Sequence, residues 1–190
     1  MKKYLFFTLL VAMLSLNAYS QEQQKEKSQS KTIEFLSRDG SFFKKEFYDL
    51  QTIGSSYDKI ECQVLIITDM KTNSKMGCLR MTTTYPSSGS NDSYIGTLDQ
   101  DEIDACIMCL EKIQSDIITS APNTYTEAEY KTRDGVSIGT FWRKQKSEWA
   151  IYVQTKSYTS RSMSSIKPEH ISLLIKVLKD AKAMIVEKTK

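Results

Sequence analysis

Apolar and polar residues alternate in short runs along most of the chain after residue 31, a pattern typical of β-strands with one buried face. The runs in the first half are 32–36, 42–50, 59–69 and 76–85. Those in the second half are 125–132, 136–143 and 148–156. Polar or glycine-containing turns separate the runs, so we expect about seven antiparallel strands joined mainly as hairpins.

Two longer segments repeat their apolar residues at helical spacing. The first runs from about Asp99 to Ile118, and its apolar stripe consists of Ile103, Cys106, Ile107, Leu110, Ile113 and Ile117. Asp99 and Glu102 have the three-residue spacing of a capping pair at its start. The second helix is predicted from about Pro168 to Glu187, with the proline in its first turn.

The two predicted helices match each other at a constant offset of 68 residues, so that Ile103 corresponds to Ile171. An Arg-Asp-Gly tripeptide also occurs in each half, at 38–40 and at 133–135, and supports a repeat more weakly. Self-similarity at a fixed spacing is the sequence sign of a repeated structural unit. We therefore expect an internal duplication, in which β-hairpins are followed by a helix, twice.

These elements predict an α+β domain over residues 31–190, with an antiparallel sheet of about seven strands and two helices on one face. The expected halves are 31–120 and 121–190. Each half offers one apolar helix stripe and one sheet face, which is too little surface to form a core alone. The two halves are therefore expected to share one core.

The last hairpin shows which sheet face the helices should cover. A turn at 144–147 would place Trp142 opposite Trp149 and Arg143 opposite Glu148. Alternate residues of both strands, including the two tryptophans, then lie on one apolar face. We expect this face to lie under the helices.

The first twenty residues have the three parts of a secretory signal peptide. Two lysines precede an apolar run at 5–16, and Ala18 and Ser20 are the small residues expected before a cleavage site at Gln21. The run is shorter than the roughly 20 residues that a membrane-spanning helix needs. We expect residues 1–20 to be removed, residues 21–30 to form a flexible polar leader, and the mature chain to be periplasmic or secreted without a membrane span.

The charge balance argues against a nucleic-acid partner. The chain has 26 basic and 23 acidic residues, a formal charge of +3, and removal of Lys2 and Lys3 with the signal peptide leaves +1. Nucleic-acid-binding domains are usually far more basic or carry a basic stripe. The chain also lacks a Walker loop and a dinucleotide fingerprint, so no cofactor is expected.

Four cysteines raise the question of disulfide, metal or redox chemistry. Cys106 and Cys109 have the spacing of a redox motif, but their counterparts 68 residues later are Leu174 and Val177, which are packing residues. They are therefore expected to be buried thiols. A four-cysteine zinc site would need a second close pair, which the sequence lacks.

Cys62 and Cys78 belong to one predicted hairpin. The expected turn pairs Cys62 near Thr83 and Cys78 near Ile67, which places the two thiols on opposite faces of the sheet. They then cannot form a disulfide. We favour no disulfide and no metal site, since the acidic residues at 99–104 also lack the glycine of a calcium loop.

His170 is the only histidine and therefore the only candidate for a histidine general base. A hydrolase would pair it with a serine nucleophile from 157–165, of which Ser162 is the representative candidate. The simpler interpretation is a polar residue in the first turn of a helix. His170 matches Glu102 at the 68-residue offset, which agrees with that interpretation.

Two polar, serine-rich loops, 86–93 and 157–165, each lead to the start of a predicted helix. The residues near them that suit contact with a ligand or partner are Tyr85, Tyr94, Tyr158 and Arg161. The leading hypothesis is an exported, soluble, non-enzymatic binding module for an unknown protein or small-molecule ligand in the cell envelope or outside the cell. The alternatives are a small exported hydrolase that uses His170, and a self-associating envelope protein.

Overall fold

The computed structural model describes residues 29–54, 58–87 and 90–190, which form two four-stranded antiparallel sheets and three α-helices. The strands of the first sheet are, in spatial order, β1 (Phe43–Asp49), β2 (Ile60–Asp69), β3 (Lys75–Ser87) and β4 (Ser90–Asp99). Those of the second are β5 (Glu127–Lys131), β6 (Ser137–Arg143), β7 (Glu148–Gln154) and β8 (Met163–Ile166). The α-helices are α1 (Lys31–Leu36), α2 (Ile103–Lys112) and α3 (Ile171–Lys188). The α+β class is confirmed, whereas the predicted signal peptide at 1–20 and most of the predicted leader lie outside the described residues.

Each of the two longer helices starts with a short 3-10 turn, at Gln100–Glu102 and at Pro168–His170. α2 continues as a π-helical turn at Ile113–Ile117. The helices contact each other, and each also contacts the sheet of the other half: α3 packs on β2 and β3, and α2 contacts β5. The two halves are therefore interlocked through their helices.

The prediction of a single sheet of about seven strands is wrong, because the strands form two separate sheets of four. The serine-rich segments predicted as loops also contain the start of β4 and most of β8. β4 pairs with β3 along its whole length, from Asp99 opposite Cys78 to Ser90 opposite Ser87. β8 pairs with β7 over four residues. Both are edge strands with few apolar side chains, and backbone pairing with a buried neighbour holds them in the sheet.

The predicted strand at 32–36 is also wrong, since these residues lie in α1. The Ser30 hydroxyl accepts a hydrogen bond from the backbone N–H of Ile33 at 3.4 Å, which caps the helix. Ser30 is only 1% exposed, so its environment is not that of a flexible leader. Phe35 of α1 is buried against the sheet.

The two Arg-Asp-Gly turns do not occupy equivalent places, so they do not support a repeat. The turn at 38–40 follows α1 and precedes β1, whereas the turn at 133–135 joins β5 to β6. Gly40 and Gly135 have φ of +66° and +85°, a conformation that side chains with a Cβ rarely adopt. The shared tripeptide therefore reflects a shared local geometry.

The main core contains side chains from both sheets and from α2 and α3, and a smaller cluster lies on the opposite face of the first sheet. The predicted register of the last hairpin is confirmed: Trp142 lies opposite Trp149, with ring centroids 5.5 Å apart, and Arg143 lies opposite Glu148. Both tryptophans are buried.

A pair of buried threonine hydroxyls joins the two sheets. The Oγ1 atoms of Thr83 in β3 and Thr155 after β7 are 2.8 Å apart. The Thr83 hydroxyl also lies 2.8 Å from the carbonyl oxygen of Ser162, and the Thr155 hydroxyl lies 3.1 Å from that of Tyr94. Each hydroxyl has one hydrogen, so one threonine donates to the other and the second donates to a carbonyl. Both threonines are almost completely buried, so each lost partner would leave a desolvated polar group.

Replacing Thr83 or Thr155 by valine is expected to lower the free energy of unfolding by about 1–3 kcal/mol, because a buried partner is left unsatisfied. The double variant should lose less than the sum of the single losses, since the two hydroxyls contact each other. Urea unfolding measures these values. Thr84→Val, on the opposite face of β3, is the matched control and should unfold like the wild type.

Candidate binding surface

The structure brings together two segments that the sequence assigned to separate serine-rich loops. The guanidinium carbon of Arg161 lies 5.5 Å from the centre of the Tyr85 ring. The same guanidinium is 3.9 Å from a carboxylate oxygen of Asp92. Tyr85 and Asp92 face each other near the end of the β3–β4 hairpin, and Arg161 lies in the 3-10 turn before β8. The contact therefore joins the first sheet to the second.

The remaining predicted contact residues differ in exposure. Tyr158 is 80% exposed, Tyr85 is 42% exposed and Tyr94 is half-buried. The backbone carbonyl of Tyr94 accepts the hydrogen bond from Thr155, so Tyr94 supports the sheet contact through its main chain. We define the contact surface as Tyr85, Tyr94, Tyr158 and Arg161.

Ser162 holds the second loop in its observed shape. Its side chain is fully buried; the hydroxyl lies 2.8 Å from the carbonyls of Lys156 and Thr159 and accepts from the backbone N–H of Lys156 at 3.1 Å. These bonds close the turn that carries Tyr158 and Arg161. A serine used in this way is not accessible to a substrate.

His170 occupies the last position of the 3-10 turn before α3, and its ring is partly buried. Its Nδ1 atom is buried and has no hydrogen-bond partner in the part of the chain that the structure describes. None of the described serines at 157–165 forms a hydrogen bond to it. The pairing required by the hydrolase alternative is therefore not formed in this structure.

The four cysteines carry free thiols. Cys62 faces the main core and Cys78 faces the smaller cluster, so the predicted placement on opposite faces is confirmed. The predicted partners are wrong by two residues, because Cys62 lies opposite Met81 and Cys78 opposite Leu65. A shift of two residues preserves the face.

Burial makes three of the thiols, those of Cys62, Cys78 and Cys106, poor nucleophiles, whereas Cys109 is only half-buried. It raises the pKa of Cys62 to about 12 and that of Cys106 to about 12. The pKa of Cys78 is raised to about 11, again mainly by burial. A thiol with such a pKa is protonated at neutral pH and does not react as a thiolate.

Sequence reasoning missed a buried polar network centred on Asp99, at the end of β4. Asp99 is 2% exposed, and its carboxylate lies 2.9 Å from the guanidinium of Arg133 in the β5–β6 turn. It also accepts hydrogen bonds from the first turn of α1, including one of 2.6 Å from the hydroxyl of Thr32. The Arg-Asp-Gly tripeptide and the acidic residues at 99–102 were visible signals, but their contact is not local in sequence.

Arg133 connects this network to the start of α2. Its guanidinium forms two hydrogen bonds with the carboxylate of Asp101, and its backbone N–H donates to Glu102 at 2.8 Å. Glu102 also accepts from the backbone N–H of Asp99 at 3.0 Å, as the predicted capping pair requires. The acidic residues are thus used for helix capping and for holding the two halves together.

The network changes the ionisation of its carboxyl groups. Hydrogen bonding from Arg133 lowers the pKa of Asp101 to about 2. Burial favours the neutral form of Asp99, but hydrogen bonds from Thr32, Lys31 and Ser30 outweigh it and keep the pKa of Asp99 below its ordinary value. Both groups are therefore ionised at neutral pH.

An open groove of about 460 Å³ lies beside the network, between the start of β3, the start of α2 and the C-terminal end of α3. Its charged side chains already have partners: Lys31 binds Asp101 at 2.9 Å and Lys182 binds Asp104 at 2.7 Å. Lys75 donates to the carbonyls of Lys188 and Lys190. Two of the three lysines that line the groove are therefore ion-paired with its own aspartates, and the third is hydrogen-bonded to backbone carbonyls.

Within residues 29–54, 58–87 and 90–190, no group of three or more His, Cys, Asp or Glu side chains has an arrangement that could hold a metal ion. In the same described ranges, no helix is long and apolar enough to cross a membrane.

No protein-family model, no curated protein and no solved structure matches this chain. The interpretation of function therefore depends on the chain's own geometry.

The Arg133 network should make stability depend on acidic pH. The carboxyl of Asp101 titrates near 4 in an unfolded chain and at about 2 in the fold. Its stabilising contribution is therefore complete above about pH 4 and is lost as the pH falls towards 2. In urea unfolding between pH 4 and 2, the midpoint of the wild type should fall more steeply than that of Asp101→Asn.

Asp104→Asn is the matched control, because Asp104 lies on the neighbouring helical turn and is bound to Lys182 instead of Arg133. This variant should keep the pH dependence of the wild type. An equally steep fall in Asp101→Asn would show that the ion pair does not contribute.

Proposed function

We propose that this chain is an exported, non-enzymatic binding module that contacts a protein partner through the contact surface. The observation that carries this proposal is the position of Arg161 over Tyr85, which makes one surface from two distant segments. Tyrosine and arginine are the side chains most enriched among residues that dominate protein interfaces. The surface is open and is formed by the paired strands β3 and β4 and by the β7–β8 connection, which suits a protein partner better than an enclosed small molecule.

Preorganisation supports the same conclusion. A flexible arginine loses rotamer freedom when it is immobilised by a partner. The Tyr85 ring and the Asp92 carboxylate already restrict Arg161 in the free chain, so part of that cost does not arise on binding. Ser162 fixes the loop that carries Arg161 and Tyr158.

We further propose that the two halves arose by internal duplication, which explains why these segments meet. Each half contains four consecutive strands followed by a helix, and α1 precedes them in the first half alone among the described residues. Leu79 lies opposite Leu98 in the first sheet, and Ile151 lies opposite Ile166 in the second. The two pairs therefore match when β3 is aligned with β7 at an offset of 72 residues and β4 with β8 at an offset of 68. At the offset between β3 and β7, Thr83 corresponds to Thr155, the residue it contacts.

A contact between equivalent residues is expected at the axis of a pseudo-twofold arrangement. The end of β3 follows Thr83 and the β7–β8 connection follows Thr155, so both segments are brought to this axis. The contact surface would then be a product of the duplication, and neither half would contain it alone.

The proposed export predicts a specific mature N-terminus. The intact mass of protein recovered from the periplasm or the medium should correspond to a chain that begins at Gln21, because a signal peptidase cleaves after small residues. Ala18→Arg is expected to reduce cleavage, since a large charged residue does not fit that site. Recovery of a chain that still contains residues 1–20 in the exported fraction would contradict the assignment.

The contact surface can be tested by site-specific photo-crosslinking in the cells that produce the protein. A benzophenone amino acid replaces Tyr158, and in the matched control it replaces Tyr125, which is 66% exposed and lies outside the surface. We expect a discrete protein adduct from position 158 and none from position 125. Arg161→Glu should lower the adduct yield by at least about tenfold, because it removes an interface anchor.

Equal adducts from both positions, or none from position 158, would contradict the proposed surface. An adduct of twice the chain mass would assign the surface to self-association instead.

A further inference from the structure

The outer face of the first sheet contains a small apolar site that is separate from the main core. Its floor consists of Leu65, Ile67 and Cys78, all buried, and the ring of Phe35 from α1 fills it. The Phe35 ring packs at 5.4 Å from that of Phe43. We call the site formed by Leu65, Ile67, Cys78 and Asp99 the α1 slot.

Asp99 forms the polar end of the slot and binds the start of α1. Its carboxylate accepts hydrogen bonds from the hydroxyl of Ser30 at 3.0 Å and from the backbone N–H of Lys31 at 2.7 Å. It also accepts from the hydroxyl and the backbone N–H of Thr32, at 2.6 and 3.0 Å. Together with Phe35, these contacts specify a helix start of the pattern Ser-x-Thr-x-x-Phe.

α1 is held in place mainly by its contacts with this slot, and the segment that follows the helix contributes little to its attachment. A six-residue helix is not stable by itself in water, so α1 is helical because it is docked. The connection at 37–42 is largely exposed and turns at Gly40. Two hydrogen bonds join it to the turn after β2: the Lys71 ammonium donates to the Gly40 carbonyl, and the Met70 backbone N–H donates to the Phe42 carbonyl.

We propose that the α1 slot is a binding site for a short helical segment of this pattern, and that its partner is α1 of a second copy of the chain. The contacts of the slot are made with side chains and with the first backbone amides of α1, so a second copy offers the same set. Exchange of an identical terminal element across a flexible connection is a low-cost route to a dimer. This site is distinct from the contact surface and does not depend on it.

The surroundings of the slot suit a second copy of the chain. Phe42 is 66% exposed, Phe47 is 51% exposed and Met70 is 44% exposed, and all three are near the slot or its connection. Phe47 lies opposite Leu65 on the neighbouring strand, and the backbone N–H of Met70 donates a hydrogen bond to the carbonyl of Phe42. Apolar side chains exposed next to an exchangeable element are the surface that a dimer would cover.

Cys78 provides a reporter of slot occupancy, and Cys62 provides its internal control. Cys78 is fully buried beneath α1, whereas Cys62 on the paired strand faces the main core. Alkylation at each cysteine is followed separately by mass spectrometry of peptides from the whole chain. Release of α1 should expose Cys78 alone, while loss of the fold would expose both.

Thr32→Val, which removes the 2.6 Å hydrogen bond to Asp99, should raise the alkylation rate of Cys78 by at least about tenfold. This increase corresponds to a loss of about 1.4 kcal/mol of docking free energy. Phe35→Ala should raise the rate further. Ile33→Ala, on the exposed side of the same helix, should leave the rate unchanged.

Exchange is tested by mixing unlabelled wild-type chain with isotopically labelled Phe35→Ala chain. As the wild-type concentration rises, its α1 should occupy the empty slot and protect the labelled Cys78 from alkylation. Unlabelled Phe35→Ala chain is the control and should give no protection. Protection that is absent at every concentration, or equal with the control chain, would overturn the proposal.

If Phe35→Ala also exposes Cys62, it has lost the fold, and the Thr32→Val chain takes its place in the mixing experiment. A synthetic peptide of residues 29–42 supplies a second donor. Protection by this peptide but not by the wild-type chain would show that the slot binds a free segment only, which overturns exchange between copies.

Discussion

The buried carboxylate of Asp99 is the constraint on which the arrangement of this molecule depends. An ionised carboxylate with 2% exposure is strongly destabilising unless charges and hydrogen bonds surround it. Here the partners come from the start of α1 and from Arg133 in the β5–β6 turn. One group at the end of β4 therefore determines where the N-terminal helix docks and how the second sheet approaches the first.

The Thr83–Thr155 pair is a second attachment point between the sheets, on the side of the serine-rich connections. Together with the shared core and the helices, these attachments fix the orientation of the two sheets relative to each other. The position of Arg161 over Tyr85 follows from this orientation, because Tyr85 belongs to the first half of the chain and Arg161 to the second. The proposed contact surface is thus a consequence of the packing between halves.

Sequence patterns predicted the elements whose signal is local. The apolar stripe of α2 and the register of the Trp142–Trp149 hairpin were both correct, since helical periodicity and turn length determine them. The pattern does not predict β4 and β8, because edge strands need few apolar residues, and it predicts a strand in place of α1, because six residues do not define a helical period. The contacts of Asp99 with Arg133 and of Tyr85 with Arg161 join distant segments, so one sequence without its fold does not contain them.

The residues predicted to contact a partner follow from chemistry alone, and three of the four are exposed whereas Tyr94 is half-buried. The serine chosen for the hydrolase alternative illustrates the opposite outcome. Ser162 was selected only for its sequence position, and its hydroxyl serves to close a turn. Residue type predicts what a side chain can do, and burial decides whether it is available.

The crossed packing of the helices also bears on the order in which the chain acquires structure during synthesis. β2 and β3 are made early, yet the helix that packs on both of them is α3, which follows every other described helix and strand. Until residues 171–188 have been made, the core face of these strands lacks this helix, and the contacts between them span more than a hundred residues. The core is therefore completed only after α3 has been made, and a chaperone that meets the chain before then meets apolar residues of the first sheet that α3 later covers.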